Sequence, residues 1–263
     1  MKSNIHSKII IFGGTGFIGK SFVNHLKLHK EPYLSFGSKD INLLYNTEVK
    51  SKLSKVSFKN KSIVFLSALR PKNGEIFDLT IKNLTMLKNL IANININEIK
   101  QFIYISSDAV FACKKNITEN SIKSSNSLYG LMHNMREVYL LNKIPKNRLT
   151  ILRPCALYGL NETTFNYGIN RFVNEALTNK VINLVGNGEE KRDHVYVEDL
   201  TLIIFHSYKK HIFGTFNIAT GNSRSFKEIA IIIVQELNQN IRIIKKPRLQ
   251  QITHKSFNTV HLT

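Results

Sequence analysis

Two rhythms of apolar residues run along the chain. Nearly continuous apolar stretches at 9–12, 33–37, 62–68, 100–106 and 150–154 have the length and composition of strands buried on both faces. Between them lie stretches of helical spacing at 20–28, 42–55 and 77–94. In the last of these Ile81, Leu84, Leu87, Leu90 and Ile91 recur three or four residues apart. Another helix opens at Ser127. Strand and helix in repetition predict a parallel sheet with right-handed crossovers. Farther on, 181–188 reads as a strand and turn, 192–199 as an alternating strand rich in charge, and 214–219 as a further strand. Ser225 opens a helix over 226–237, with Glu228 at the capping-box position. The Asn- and Ser-rich stretch 116–127 reads as a surface loop. Neither an internal repeat nor a low-complexity linker breaks the pattern.

The first strand runs into Phe12-Gly13-Gly14-Thr15-Gly16-Phe17-Ile18-Gly19, with glycines at 13, 16 and 19. A strand, a glycine turn and a helix N-terminus make a phosphate cradle. Glycine lets the turn close tightly, lets the backbone approach a pyrophosphate, and lets the helix pack on the strand. The free N–H groups of the first helical turn then face the anion. The spacing is one residue off the G-x-G-x-x-G dinucleotide pattern, and an ordinary glycine-rich turn has the same look. The second strand ends in Ser38-Lys39-Asp40, where a doubly wound sheet meets an adenosine ribose. A carboxylate there suits a free 2′-hydroxyl, whereas a serine and a lysine suit a 2′-phosphate, so the signal is split. Lys39 is equally a solvated turn residue. Small residues near the third strand's end, Ser67 and Ala68 after Leu66, leave room for a cofactor over the strand tips. The fourth strand runs into Ser106-Ser107-Asp108-Ala109-Val110-Phe111. Hydroxyls and a carboxylate at that place lie on a ligand edge or simply cap a turn. Tyr129 and His133, four apart, share one helix face.

Bulk properties narrow the setting. A chain of 263 residues with 43% hydrophobic content can bury a substantial core in one large domain or one and a half. No apolar run approaches the roughly 20 residues of a membrane span. Residues 1–6 lead straight into the first strand and leave no room for a signal peptide. Cys113 and Cys155 have no metal-ligand spacing and read as reduced thiols of a cytoplasmic protein. The net charge of +19 raises nucleic acid as a partner. The lysines are scattered, however, with pairs at 114–115, 209–210 and 245–246 instead of one tract. A compositional bias explains them better, and part of the field can draw in an anionic small substrate.

These motifs stand in order with Ile151-Leu152-Arg153-Pro154, Tyr158-Gly159, Arg192-Asp193-His194-Val195-Tyr196-Val197-Glu198-Asp199 and Phe216-Asn217-Ile218-Ala219-Thr220-Gly221. Together they resemble the extended short-chain dehydrogenase/reductase family, the nucleotide-sugar epimerases, dehydratases and reductases. The resemblance covers nearly the whole chain. It implies an α/β fold, with a Rossmann-like doubly wound parallel sheet over 1–160. A small C-terminal substrate-binding lobe over 161–263 follows, of which 181–221 partly returns to the core sheet. It also implies an NAD(P)(H) cofactor, a nucleotide-diphosphate sugar substrate, and a homodimer formed through the Tyr129 helix.

Residue roles follow from the resemblance. Gly13, Thr15, Gly16, Phe17, Ile18 and Gly19 surround the pyrophosphate. Ser38, Lys39 and Asp40 meet the adenosine side, and Leu66, Ser67, Ala68 and Ser106 line the cofactor. Asn83 steadies the sheet beside it. Ser107 and Tyr129 match the catalytic hydroxyls, and Asp108, Asn161 and Arg192 fall at the substrate. A tyrosine with its pKa lowered from about 10 can deliver a proton to the sugar oxygen. Ser107 would hold that oxygen, and the nicotinamide carries the hydride.

Two departures stand out. The family has a lysine four residues after the tyrosine, where its ammonium lowers the tyrosine pKa and binds the nicotinamide ribose. Here the residue is His133, whose pKa is about 6.5 when unperturbed. Activity with a different pH dependence, a catalytically impaired binding homologue, and a lysine substituting from elsewhere in space all fit. The chain also stops at Thr263, where the family continues, so its lobe is small. Ser107 to Phe111 looks closest to the 4-keto reductases and 4,6-dehydratases, and Ala109 denies a dehydratase its second acid or base. Residues 39–44 are reminiscent of the 4-keto-6-deoxysugar reductases. A 4-keto-sugar reductase is the expectation, with a 4-epimerase next.

Overall fold

The computed structural model describes residues 7–70, 76–162 and 168–259. The leader 1–6 and parts of the expected lobe, 163–167 and 260–263, lie outside the described residues. Strands β1 (Ile9–Phe12), β2 (Tyr33–Phe36), β3 (Ser62–Phe65), β4 (Gln101–Ile105) and β5 (Leu149–Pro154) alternate with helices α1 (Phe17–Leu28), α2 (Asn46–Leu53), α3 (Ile76–Ala92) and α4 (Leu128–Lys143). Then come β6 (Ala156–Tyr158), α5 (Gly168–Asn179), β7 (Val181–Val185), β8 (Lys191–Arg192) and β9 (His194–Tyr196). The chain continues with α6 (Val197–Lys210), β10 (Gly214–Ile218), β11 (Arg224–Ser225), α7 (Phe226–Leu237) and β12 (Arg242–Lys246).

Six strands form a parallel sheet in the order β10-β5-β4-β3-β1-β2. The strands β1, β3, β4 and β5 are buried along their whole length, which is why they read as unbroken apolar runs. Alternate side chains feed two cores. Ile10, Phe12, Ile63, Phe65, Phe102 and Tyr104 pack on the face covered by α3 and α4 with Leu87, Leu90 and Leu140. Ile9, Ile11, Val64 and Ile103 pack on the other with Phe22 of α1 and Leu200 and Ile204 of α6. The chain goes from β1 outward to β2 and then crosses back to β3 on the other side. The order therefore reverses between β1 and β3, and a crevice opens at their carboxyl ends.

The lobe has its own core. Phe172 and Ala176 of α5, Ile182 and Leu184 of β7, and Ile229, Ala230 and Ile233 of α7 close on one another beside the parallel β7–β12 pair. Ser225 and Glu228 form the expected capping box at the start of α7. The structure places β7 in this lobe, while α6 and β10 lie on the large sheet.

Several elements differ from the sequence reading. Helix α1 starts at Phe17, three residues early, because Gly19, the last glycine of the cradle, is already helical. The expected strand over 192–199 ends at Tyr196, and Glu198 and Asp199 belong to the first turn of α6, where carboxylates complement the free N–H groups. Strand β12 is exposed along its length and had no apolar rhythm to announce it. The loop 116–127 is anchored: Ile117 is buried and bridges to Phe257, which ties the C-terminal segment onto the large sheet's side. Ile81 of α3 is exposed although its spacing suggested the core, and α4 likewise exposes Leu131, Met135 and Val138. Among the described residues no helix is long and apolar enough to cross a membrane.

Candidate active site

The glycine turn after β1 and the segment after β3 meet in the crevice. A side chain at Gly19 would put its Cβ 2.2 Å from the carbonyl oxygen of Gly13, so only glycine lets α1 start this close to the strand end. The N-cap Gly16 offers no side-chain acceptor, and the first turn holds no acidic residue. The N–H groups of Phe17, Ile18 and Gly19 therefore keep their positive field for an external anion. Thr15 and Gly16 are exposed, and Phe17 and Ile18 half-buried. Leu66 and Ser67 are half-buried and Ala68 exposed, opposite the cradle. Asn83 of α3 is buried and pins this segment, accepting from the Leu69 N–H at 2.8 Å and donating to the Leu69 carbonyl at 2.9 Å.

At the tip of β2 the three polar residues have separate tasks. The Asp40 carboxylate accepts the Gly37 N–H at 2.7 Å and closes the turn, while Ser38 and Lys39 stand exposed beside it.

Beyond β4 a single 3₁₀ turn, Asp108–Val110, is capped by Ser107, whose Oγ accepts the Ala109 N–H at 3.1 Å. Helix α4 is locked against this turn. A Cβ at Gly130 would fall 1.9 Å from the Ala109 carbonyl oxygen, so the glycine after Tyr129 permits the contact that brings the Tyr129 end of α4 against the turn capped by Ser107. Ser127 caps α4 by accepting the Gly130 N–H. Burial raises the Tyr129 pKa, and the charges of Arg70 and Arg136 pull against that while Asp108 adds to it.

His133 is buried, with its Nδ1 2.6 Å from the Tyr104 hydroxyl and its ring edge-on to Tyr129 at 4.7 Å. Burial, then the Arg136 charge, hold its pKa well below the usual range, so it is neutral. The imidazole thus does not carry the lysine's charge. The nearby cation is an arginine instead, one that the sequence reading passed over. Arg136 is 1% exposed and stacks over Phe65. It donates to the Asn83 carbonyl, to Asn83 Oδ1 at 3.3 Å and to the Ser67 carbonyl at 2.9 Å. Its place three residues after His133, on the same face, was the available signal.

Ser106 is buried and its hydroxyl donates to Glu137 at 2.6 Å, so that hydroxyl faces the core, not a cofactor. Asp108 forms an ion pair with Lys255 at 3.2 Å, and Lys255 also donates to the Asp108 and Phe111 carbonyls. Arg192 donates to the carbonyl and hydroxyl of Thr253, each at 2.7 Å. Two of the three residues expected at the substrate, Asp108 and Arg192, thereby hold the C-terminal segment 253–255 over the turn after β4. Asn161 is exposed, in a left-handed conformation at the border of the undescribed stretch. Both cysteines are free, Cys113 exposed and Cys155 buried.

Residues 9–219 match the NAD dependent epimerase/dehydratase family. The chain belongs to that family. Members among its relatives include the GDP-L-colitose synthase of Yersinia pseudotuberculosis, 24% identical over 83% of this chain and 78% of that one. The putative UDP-glucose 4-epimerase of Methanocaldococcus jannaschii is 28% identical over 91% and 86%. Among solved structures, the dTDP-4-dehydrorhamnose reductase of Bacillus anthracis in complex with NADP superposes with a TM-score of 0.82 at 19% identity, covering 97% of this chain and 92% of that one. An epimerase/dehydratase family member takes a nicotinamide dinucleotide, and the residues present fit one: the Gly19 contact, the uncapped N-terminus of α1, and a buried His133 Nε2 that lacks a partner among the described residues. Gly19→Ala is expected to push α1 off the strand end and abolish dinucleotide binding. Titration of NADH and NADPH by nicotinamide fluorescence checks this, and retained affinity would show that the cradle is not the pyrophosphate site.

Proposed function

We propose that the protein reduces a nucleotide-linked 4-keto sugar, with Tyr129 as proton donor and Ser107 as the hydrogen-bond donor to the same oxygen. The observation that carries the reading is the Gly130 contact, which holds the Tyr129 end of α4 against the turn capped by Ser107 at the carboxyl edge of the sheet. When bound, the reduced nicotinamide supplies hydride to the carbonyl carbon. Tyr129 gives its hydroxyl proton to the carbonyl oxygen, and the C=O bond becomes a CH–OH. Dehydration calls for a further acid or base near the sugar. Ala109 offers none, and the Asp108 carboxylate is paired with Lys255. The reductases and epimerases among the relatives agree with the substrate class. At the adenosine end Asp40 is engaged with its own turn while Ser38 and Lys39 are open, which favours a 2′-phosphate and hence NADPH.

The deciding experiment mixes purified protein with a nucleotide-linked 4-keto-6-deoxyhexose and NADPH or NADH. One equivalent of reduced cofactor is expected to disappear per sugar reduced, faster with NADPH. Interconversion of a nucleotide-linked hexose carrying a free 4-hydroxyl with its C4 epimer, in the presence of NAD⁺ and with no net change in reduced cofactor, would instead establish the 4-epimerase. Cofactor binding without any conversion would establish an impaired homologue.

A further inference from the structure

Three groups behind Tyr129 fix one another's protons. Arg136 has donors and no acceptor. Besides its bonds to Asn83 and Ser67, its guanidinium sets a positive charge near the Tyr104 oxygen. Burial drives the Tyr104 pKa upward, so that hydroxyl keeps its hydrogen. With its oxygen turned to Arg136, the hydroxyl points that hydrogen at His133 Nδ1, 2.6 Å away. A neutral imidazole that accepts at Nδ1 carries its own hydrogen on Nε2. That Nε2 is buried and has no partner among the described residues.

We propose that this site divides between two residues what a single lysine ammonium would do: Arg136 is the fixed positive charge, and His133, locked by Tyr104, is a permanently neutral Nε2–H donor to a hydroxyl of the bound dinucleotide. His133 is then a cofactor-contacting residue, and Arg136 and Tyr104 are positioning residues. The proposal rests on the dinucleotide reading of the crevice and, for its kinetic arm only, on the reductase reading. The groups acting on the pair are Tyr104 from β4, Arg136 and Glu137 from α4, Arg70 after β3 and Asp108 from the 3₁₀ turn. An arrangement of this kind keeps His133 from titrating near neutrality.

The first test needs no substrate. Histidine-selective ¹⁵N labelling of the whole protein is expected to show His133 neutral and protonated at Nε2 from about pH 5 to about pH 8. Tyr104→Phe is expected to destroy that tautomer preference. Adding NADPH is expected to shift the Nε2 signal. An Nδ1–H tautomer, a charged His133 at about pH 6, or an Nε2 signal indifferent to bound NADPH overturns the proposal.

The second test is a cycle in turnover. His133→Lys alone puts a second cation beside Arg136 and is expected to lower turnover at least about 10-fold. Arg136→Met is expected to move the Tyr129-governed alkaline limb upward by roughly one to two pH units. The double variant recovers most of the loss, and Arg136→Lys, which keeps the charge, holds the limb in place. A gain of turnover in His133→Lys alone, or an unmoved limb in a folded Arg136→Met, overturns the division of roles. If no form turns over, the reductase reading fails, and the labelling experiment still decides the proposal.

Discussion

Tyr129→Phe is expected to lower kcat by about 10²- to 10⁴-fold while NADPH affinity stays within about threefold of the native value. The substitution removes one oxygen. It leaves the ring that meets His133 edge-on and leaves the Gly130 contact that seats α4 on the turn after β4. Only the proton delivered to the sugar oxygen is lost. The sign of the pH dependence follows from the same role. A general acid works while protonated, so kcat/KM for reduction stays level through neutrality and falls as Tyr129 ionises. Burial pushes that limb to higher pH, and the charges of Arg70 and Arg136 draw it back. Stopped-flow traces of NADPH oxidation give both numbers. A Phe variant that retains more than about a tenth of the native rate would remove Tyr129 from the chemistry.

The dinucleotide half of the site is the part most legible from sequence, for a physical reason. A phosphate cradle is made of backbone, and backbone that must pass within contact of other backbone admits only glycine, as at Gly19. Such a constraint is local and written in the residue type. The pairing of Tyr129 with His133 is legible in the same way, because helix geometry converts a spacing of four into a shared face. Long-range satisfaction is not local. Arg136 looked like any helical arginine, since its acceptors Asn83 and Ser67 are 53 and 69 residues away. Arg192 and Asp108 looked free to meet substrate, and the fold gives them Thr253 and Lys255 as partners. Ser106 was expected to face a cofactor and donates to Glu137 instead. Helix α6 leaves a readable trace in Glu198 and Asp199, carboxylates at a helix start, but Val195 and Val197 alternate like a strand and mask it.

Arg153→Met is expected to be the most destabilising single change near the site. Glu137 is fully buried, and its two oxygens accept from Ser106, from Lys123 at 3.1 Å and twice from Arg153, at 2.8 and 2.7 Å. Removing Arg153 leaves a buried carboxylate with half its donors gone, which costs about 3–5 kcal/mol. The penalty depends on pH in a definite direction. Burial raises the Glu137 pKa, but the Arg153 hydrogen bonds and charge, then Ser106 and Lys123, outweigh it and the net shift is downward. The native protein therefore draws stability from Glu137 above the unfolded carboxylate value of about 4.3, and loses it as pH falls through the lower folded value. In Arg153→Met the folded carboxylate is no longer depressed, so it can take up a proton where the native one cannot. The gap between variant and native is widest at neutral pH and narrows toward pH of about 4. A neutral amide needs no counter-charge, so Glu137→Gln with Arg153→Met unfolds at higher urea than Arg153→Met alone. Urea melts at the two pH values test this. Equal gaps at both would mean that Arg153 acts by packing over Phe111, which its guanidinium also covers, and not by its charge.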